Sequence, residues 1–466
     1  MRILFVSSEI YPYAKTGGLA DVASALPKAL QERGEEVISV MPLFSVVEIK
    51  KHGIKKSKIA FDVMLNHHIF HFEVYQHGSV YFIANPSLYE RDTMYGEYDD
   101  NGIRFGVFAY AVMELAERLG GKFDVFHIND WQSALVAYLA KTRLKKPPRV
   151  ILTIHNLAFQ GVFNKRYMND LEIGWDAFTM HRFEFYDKIN FLKGAIAYSD
   201  RIVAASPQYA SEIQTAEFGC DLDHFLRDNA HKLGGVLNGI DTEEFNPAKD
   251  PYLKAKYRTV LSKKREENRT ALLEKLGLSN PEWPLFIFIG RFAWQKGVGA
   301  ILEAMQALGT LHANVAILGS GERYYNDAFA SLRGAYSNVA VTLGYDEGLA
   351  RMMYASADFM LMPSVYEPCG LNQMIAMRYG AVPIVRETGG LTDSVTDFDD
   401  PWQSTTGVGI VFKELDRYAF LTAIARALAL YGEKGTFMEV VEHNAAVDNS
   451  WTTRAGEYLA VYKQGR

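Results

Sequence analysis

Two cation-bearing loops, and polar residues that close apolar runs, are the parts of this 466-residue chain that could do chemistry. The first loop reads Lys15-Thr16-Gly17-Gly18-Leu19-Ala20-Asp21, and a matching hexapeptide returns as Thr388-Gly389-Gly390-Leu391-Thr392-Asp393. Paired glycines carry no Cβ, so the backbone can turn left-handed or bring its amides against an anion. A helix that follows adds the positive end of its dipole. Lys15 ahead of Gly17 and Gly18 therefore spells anion chemistry. A plain loop-to-helix turn is the other reading of each copy, and it suits the second better, where Glu387 stands in place of Lys15.

In the second loop, Arg291-Phe292-Ala293-Trp294-Gln295-Lys296-Gly297 follows the apolar run 286–290. Two cations in one strand-to-helix loop fit a diphosphate, and they could stabilise a phosphate leaving group without a metal. Asp130 and His155 each close an apolar run, in Phe126-His127-Ile128-Asn129-Asp130 and Thr153-Ile154-His155-Asn156, which sets them at the ligand edge of a parallel sheet. A hydrogen-bonded core role is the alternative for His155. Glu367, in Tyr366-Glu367-Pro368-Cys369-Gly370-Leu371, could bind sugar hydroxyls while the amides of Cys369, Gly370 and Leu371 serve a phosphate. Alternatively it caps the helix that follows.

Those residues need a scaffold, and the composition allows one. Hydrophobic residues make up 48% and charged residues 22%, which is ordinary for a globular chain, and the length predicts roughly two to three domains. A net charge of -6 speaks against nucleic-acid or anionic-membrane partners, which need a surplus of Lys and Arg. Two cysteines, Cys220 and Cys369, exclude a disulfide framework or a cysteine-rich metal site and favour a reducing cytoplasm. The apolar start 3–6 is broken by Ser7 and Glu9, so it reads as a strand and not as a secretory leader. Zinc-ligand spacing, a Walker lysine loop, a Gly-x-Ser-x-Gly elbow and a complete Gly-x-Gly-x-x-Gly fingerprint are all missing, which weakens hydrolase, kinase and dehydrogenase readings.

The runs 3–6, 37–40, 125–128, 150–154 and 202–205 are short, unalternating and mostly β-branched, as strands buried on both faces should be. Helix-period segments separate them. In the first, Leu19, Val22, Ala23, Leu26 and Leu30 share one stripe, and Pro27 predicts a kink or restart. A second series runs 285–289, 315–318, 339–343, 359–362 and 382–385. The predicted fold is α/β, with two Rossmann-like, doubly wound parallel-sheet domains whose loops face each other across a deep cleft. Residues 1–240 form the first domain and 241–450 the second, with a charged helix predicted over 254–275. The C-terminal helix, 451–466, is expected to pack back on the first domain.

Taken together, Lys15-Thr16-Gly17-Gly18-Leu19-Ala20-Asp21, His155-Asn156, Asn238-Gly239, Arg291 with Lys296-Gly297, and Glu367-Pro368-Cys369-Gly370-Leu371 resemble the bacterial glycogen synthase and plant starch synthase family. The resemblance spans the chain from first strand to last helix. It implies the GT-B glycosyltransferase architecture, and transfer of glucose from ADP-glucose to the non-reducing end of an α-1,4-glucan, with retention and without metal or cofactor. Glycogen or a malto-oligosaccharide would be the acceptor. By the same resemblance, Arg291 and Lys296 hold the donor diphosphate and Glu367 the glucose hydroxyls, while His155 and Asp130 line the reaction centre. The resemblance also places Lys15, Gly17, Gly18, Asp21, Asn156, Asn238, Cys369, Gly370 and Leu371 on the donor, Tyr345 under its base, and Tyr95 near the sugar.

Asn372 and Asn129 stand where the family commonly has Thr and His, and Ile375 stands where the wider transferase pattern has a second glutamate. With no evident nucleophile, attack from the face that ADP leaves is expected over a glucosyl-enzyme intermediate. A glucan phosphorylase-like enzyme and a catalytically silent glucan-binding protein are the rival readings.

Overall fold

Apolar runs too short for helices, and apolar at every position, become strands covered on both faces. In a computed structural model that describes residues 1–464, the chain forms two compact units, Met1–Asn238 joined by the segment from Trp451, and Gly239–Ser450.

The first unit contains β1 (Arg2–Val6), β2 (Glu36–Pro42), β3 (Lys55–Leu65), β4 (His68–His77), β5 (Val80–Ala84), β6 (Val125–Asn129), β7 (Arg149–Ile154), β8 (Val162–Asn164), β9 (Glu184–Phe185), β10 (Lys188–Asn190), β11 (Arg201–Ala204) and β12 (Leu233–Gly235). Its main sheet has the order β12-β11-β7-β6-β1-β2-β5-β4-β3. Every pairing from β12 to β5 is parallel, whereas β4 runs antiparallel to both β5 and β3. The purely parallel sheet expected from the sequence is thus extended by a hairpin. Its strands bury only one face, as the alternation of exposed positions with buried Phe61, Val63 and Leu65 in β3 records.

The second unit contains β13 (Leu285–Phe292), β14 (Asn314–Gly321), β15 (Val339–Leu343), β16 (Phe359–Met362), β17 (Val382–Arg386), β18 (Val395–Asp397) and β19 (Gly407–Phe412). The order is β15-β14-β13-β16-β17-β19-β18, with all pairings parallel. The core strand residues Leu285, Phe286, Ile287, Phe359, Met360 and Leu361 are fully buried.

Two local expectations need correction. Helix Gly18–Glu32 is a single element with Pro27 buried inside it, so the chain does not restart there. Packing of that apolar stripe outweighs the missing hydrogen bond. The charged segment predicted to be helical from residue 254 becomes so only over Lys263–Leu276, where Ser262 Oγ caps the Lys264 amide. Residues 251–262 form turns instead, and they carry Pro251 and few apolar residues in helical register.

The last helix, Trp451–Lys463, buries Trp451, Ala455, Tyr458 and Tyr462 in the first unit. The Tyr462 hydroxyl is hydrogen-bonded to His127 Nδ1 at 2.6 Å, and Arg33 donates to the Thr452 carbonyl at 2.7 and 3.0 Å. Among the described residues, no helix is long and apolar enough to cross a membrane.

Candidate active site

In a doubly wound sheet, ligands collect beyond the carboxyl ends of the strands where the winding reverses. In the first unit that point lies between β1 and β6, and in the second between β13 and β16. Apart from Tyr345 and Asn238, the sequence-predicted residues cluster at these two points.

Beyond β1, Ser7 Oγ donates to the Glu9 carbonyl at 2.7 Å and shapes the turn. Glu9, only 3% exposed, lies under the glycine loop. Its carboxylate accepts from the Thr16 amide at 2.5 Å, Thr16 Oγ1 at 2.6 Å, the Gly17 amide at 3.4 Å and the Tyr95 hydroxyl at 2.5 Å. Lys15 Nζ pairs with Asp21 at 2.7 Å across the first turn of helix Gly18–Glu32.

Beyond β6, Asp130 takes φ 51° and ψ −169°, a conformation that costs a non-glycine residue of order 1–3 kcal/mol and that surrounding structure must enforce. Its carboxylate accepts the His155 amide at 2.7 Å, and the Asn156 amide also bonds to it. Burial lifts its pKa to about 7; those amides pull it down, and the charge of Glu9 adds to the rise. His155, at the end of β7, directs Nε2 at Asn129 Oδ1 at 2.9 Å. Asn129 Nδ2 is committed to the Val6 carbonyl at 2.9 Å, so its oxygen must face the ring and the hydrogen sits on Nε2. Desolvation lowers the His155 pKa to about 4. The asparagine departure noted in the sequence thus orients His155.

Asn156 Oδ1 accepts from the Ala158 amide at 3.0 Å, a local turn. Asn238 is 5% exposed, and its Oδ1 has no hydrogen-bond partner among the described residues.

In the second unit, β13 runs on to Phe292, so Arg291 lies on the strand's last turn outward and not in a loop after it. Arg291 is exposed and donates to Gln295 Oε1 at 3.3 Å. Lys296 reaches Glu367 Oε2 at 2.6 Å, and Ser364 Oγ donates to the same oxygen at 3.0 Å. Gly297 permits this meeting. It has φ 64°, and a Cβ there would lie 1.6 Å from the Pro363 carbonyl oxygen, so only glycine lets the two loops touch. Val365 N to Gln295 O at 2.9 Å laces them together. Glu367 caps nothing: helix Asn372–Tyr379 begins after Leu371 with no side-chain cap.

Gly370 takes φ 73°, which turns the chain into that helix. Gln373 Nε2 donates to the carbonyls of Cys369 and Gly370 and to Ser394 Oγ, at 3.0 to 3.1 Å. Asn372 Nδ2 donates to the Ile289 carbonyl at 2.7 Å and pins the loop to β13. The second hexapeptide packs here. Gly390 donates to the Glu367 carbonyl at 3.0 Å, and a Cβ on it would meet the Cys369 oxygen at 2.2 Å. This copy is a packing turn that holds the Glu367 segment.

Tyr345 lies elsewhere, beyond β15 and two strands from β13. It is 72% exposed, and its hydroxyl donates to Glu347. Arg351 Nε donates to Glu347 at 2.5 Å, and Arg351 is held in turn by Glu244 and Asp250.

Sequence reasoning passed over Glu9, Ser364, Gln373 and the service of Asn129 to His155. Glu9 was signalled by a carboxylate placed three residues beyond the apolar run 3–6. Gln373 had no such signal, because its partners come from distant segments. Among the described residues, no group of three or more His, Cys, Asp or Glu side chains is arranged to hold a metal ion.

A family model described as the starch synthase catalytic domain matches residues 2–228, and one described as glycosyl transferases group 1 matches 271–439. The chain is 44% identical over 468 residues to the glycogen synthase of Aquifex aeolicus (strain VF5), covering 100% of this chain and 99% of that one. It is 39% identical over 482 residues to the glycogen synthase of Thermotoga maritima (strain MSB8), covering 100% and 99%. Among solved structures, the catalytic domain of starch synthase IV from Arabidopsis thaliana, bound to ADP and acarbose, superposes with a TM-score of 0.92 at 33% identity over 99% of both chains. Sucrose-phosphate synthase from Thermosynechococcus elongatus, at 17% identity and a TM-score of 0.63 over 99% and 98% of the chains, shares the fold.

Proposed function

The chain belongs to the glycogen synthase and starch synthase family of GT-B glycosyltransferases, and we propose that it transfers glucose from ADP-glucose to the non-reducing end of an α-1,4-glucan, with retention and without a metal. The observation that carries this reading is the Lys296–Glu367 pair beside Arg291 at the reversal point of the second sheet. An ammonium has donors enough to serve a carboxylate and a phosphate together. Lys296 and Arg291 hold the diphosphate, and Glu367, fixed by Lys296 and Ser364, accepts from glucose hydroxyls.

As the bond from the anomeric carbon to the diphosphate breaks, negative charge grows on the departing oxygen, where the two cations stabilise it. The acceptor 4-hydroxyl attacks the face that the diphosphate leaves, and its proton passes to the leaving phosphate oxygen. In the first unit, the same reading assigns His155 and Asp130 to the reaction and Lys15, Gly18 and Asp21 to the donor. Tyr345 stacks on the base, and ADP bound to the similar starch synthase supports an adenine there.

The test is an assay of the full chain with ADP-glucose and UDP-glucose side by side, on malto-oligosaccharide, with and without a chelator. NMR should read the configuration of the new linkage. Chain extension to a new α-1,4 linkage from ADP-glucose, unaffected by chelator, is the expected result. A chain that binds glucan and releases no nucleotide from either donor refutes the proposal.

A further inference from the structure

The amides of Thr16 and Gly17, which the sequence offers to a bound anion, are directed in this structure at an anion of the chain itself, Glu9. Four donors converge on its carboxylate: two backbone amides, Thr16 Oγ1 and the Tyr95 hydroxyl. The residue is 3% exposed, so water contributes little to holding it. Tyr95 is anchored at its other end as well, since Arg104 and Asn101 both donate to its carbonyl, at 3.3 and 3.2 Å. Its hydroxyl has Ser8 Oγ as a second partner at 2.8 Å.

We propose that Glu9 is a positioning residue of the transfer site, a buried carboxylate that fixes the Lys15–Gly18 turn and the Tyr95 hydroxyl in one arrangement. The inference rests on the functional reading above, in which that turn bears on the donor and Tyr95 lies near the sugar. An ionised carboxylate only accepts, which is what four converging donors require. A carboxamide of the same size would set its own N–H against one of them. The turn or the tyrosine would then shift, and displacements of about 1 Å are enough to cost on the order of 10²-fold in rate. The proximity of Glu9 to Asp130, whose pKa it raises, agrees with a place inside the site and not behind it.

The experiment compares the full-length parent with Glu9→Gln, Tyr95→Phe and the double variant. Readouts are kcat and KM for ADP-glucose, binding of malto-oligosaccharide, and thermal melting. Glu9→Gln should melt near the parent and still bind glucan, yet lose roughly 10- to 100-fold in kcat/KM for the donor. Tyr95→Phe should cost far less in the Glu9→Gln background than in the parent, because the two act as a unit. A Glu9→Gln enzyme within about twofold of the parent, or losses that simply multiply, overturns the proposal. Should Glu9→Gln fail to fold, Thr16→Val and Tyr95→Phe decide it, since each removes one donor and leaves the carboxylate. Losses short of their product support the proposal, and multiplicative losses refute it. A parent that transfers no glucose from either nucleotide sugar refutes the functional reading itself, and this one with it.

Discussion

Lys296 and Glu367 stand 71 positions apart and meet at 2.6 Å, because the loops after β13 and β16 abut at the reversal point of the second sheet. The glutamate side chain is 6% exposed and the lysine 24%. The lysine thus neutralises a buried carboxylate as well as presenting its charge outward. Replacing Lys296 by Ala should cost on the order of 10²-fold or more in kcat, and it should also lower the melting temperature, since among the described residues the Glu367 carboxylate then keeps only Ser364. Steady-state kinetics with calorimetry checks both, and a variant with near-normal kcat removes the leaving-group role.

Gly297 should tolerate no side chain. Alanine there combines a left-handed φ of 64° with a Cβ 1.6 Å from the Pro363 oxygen, so the loops must part. About 2 kcal/mol or more of stability should be lost, with activity falling further than the melting temperature suggests because Lys296 moves away from Glu367. Chemical denaturation beside a donor-turnover assay reads the two effects separately.

Asp130 should give donor turnover a pH dependence. Its pKa is raised to about 7 chiefly by burial, so the carboxylate that holds the His155 amide forms only as pH rises through that value. Donor turnover should therefore climb on the acid side and level off above about pH 7. Asp130→Asn should lose roughly 10-fold or more in kcat and lack that limb. A limb unchanged in the variant assigns it to another group.

His127 links pH to stability with the opposite sign from Asp130. It is fully buried, and desolvation takes its pKa from 6.5 to about 3. Between those values the unfolded chain binds the proton and the folded chain does not, so this contribution is complete above pH 6.5 and is lost progressively as pH falls towards 3. Asp130, with a raised pKa, instead favours the folded state as pH falls below about 7. The difference between parent and His127→Gln isolates the histidine: from pH 7 to pH 5 the variant should lose about 2 kcal/mol less stability in urea titrations. Equal losses would refute the assignment.

Tyr345 should act on affinity. Its ring is 72% exposed at the end of β15, and stacking on a base is worth about 1–3 kcal/mol. Tyr345→Ala should raise KM for the nucleotide sugar roughly 5- to 150-fold with a smaller effect on kcat, and Tyr345→Phe should stay near the parent. Initial rates across donor concentrations provide the measurement.

Both parallel sheets were legible in the chain because strands covered on two faces must be apolar at every position, as 3–6 and 359–362 are. The hairpin β3–β4 escaped that filter: it covers one face only, so its signal is alternation and not a run. Lys15, Arg291, Lys296 and Glu367 stood out because glycines and short loops mark where charged side chains leave a strand. The neighbours Glu9, Gln373 and Asn129 did not, since their partners are set by register and packing between distant segments.

The sequence by itself determined the two sheets, the glycine loops and the charges available at their edges, because periodicity and residue type act locally. Only the tertiary structure decided that Glu9 takes the Thr16 and Gly17 amides at the first hexapeptide while the glycine pair of the second packs under Glu367. Two near-identical hexapeptides diverge in role because what lies opposite each backbone, a buried carboxylate in one case and the Cys369 carbonyl in the other, is brought there by the fold.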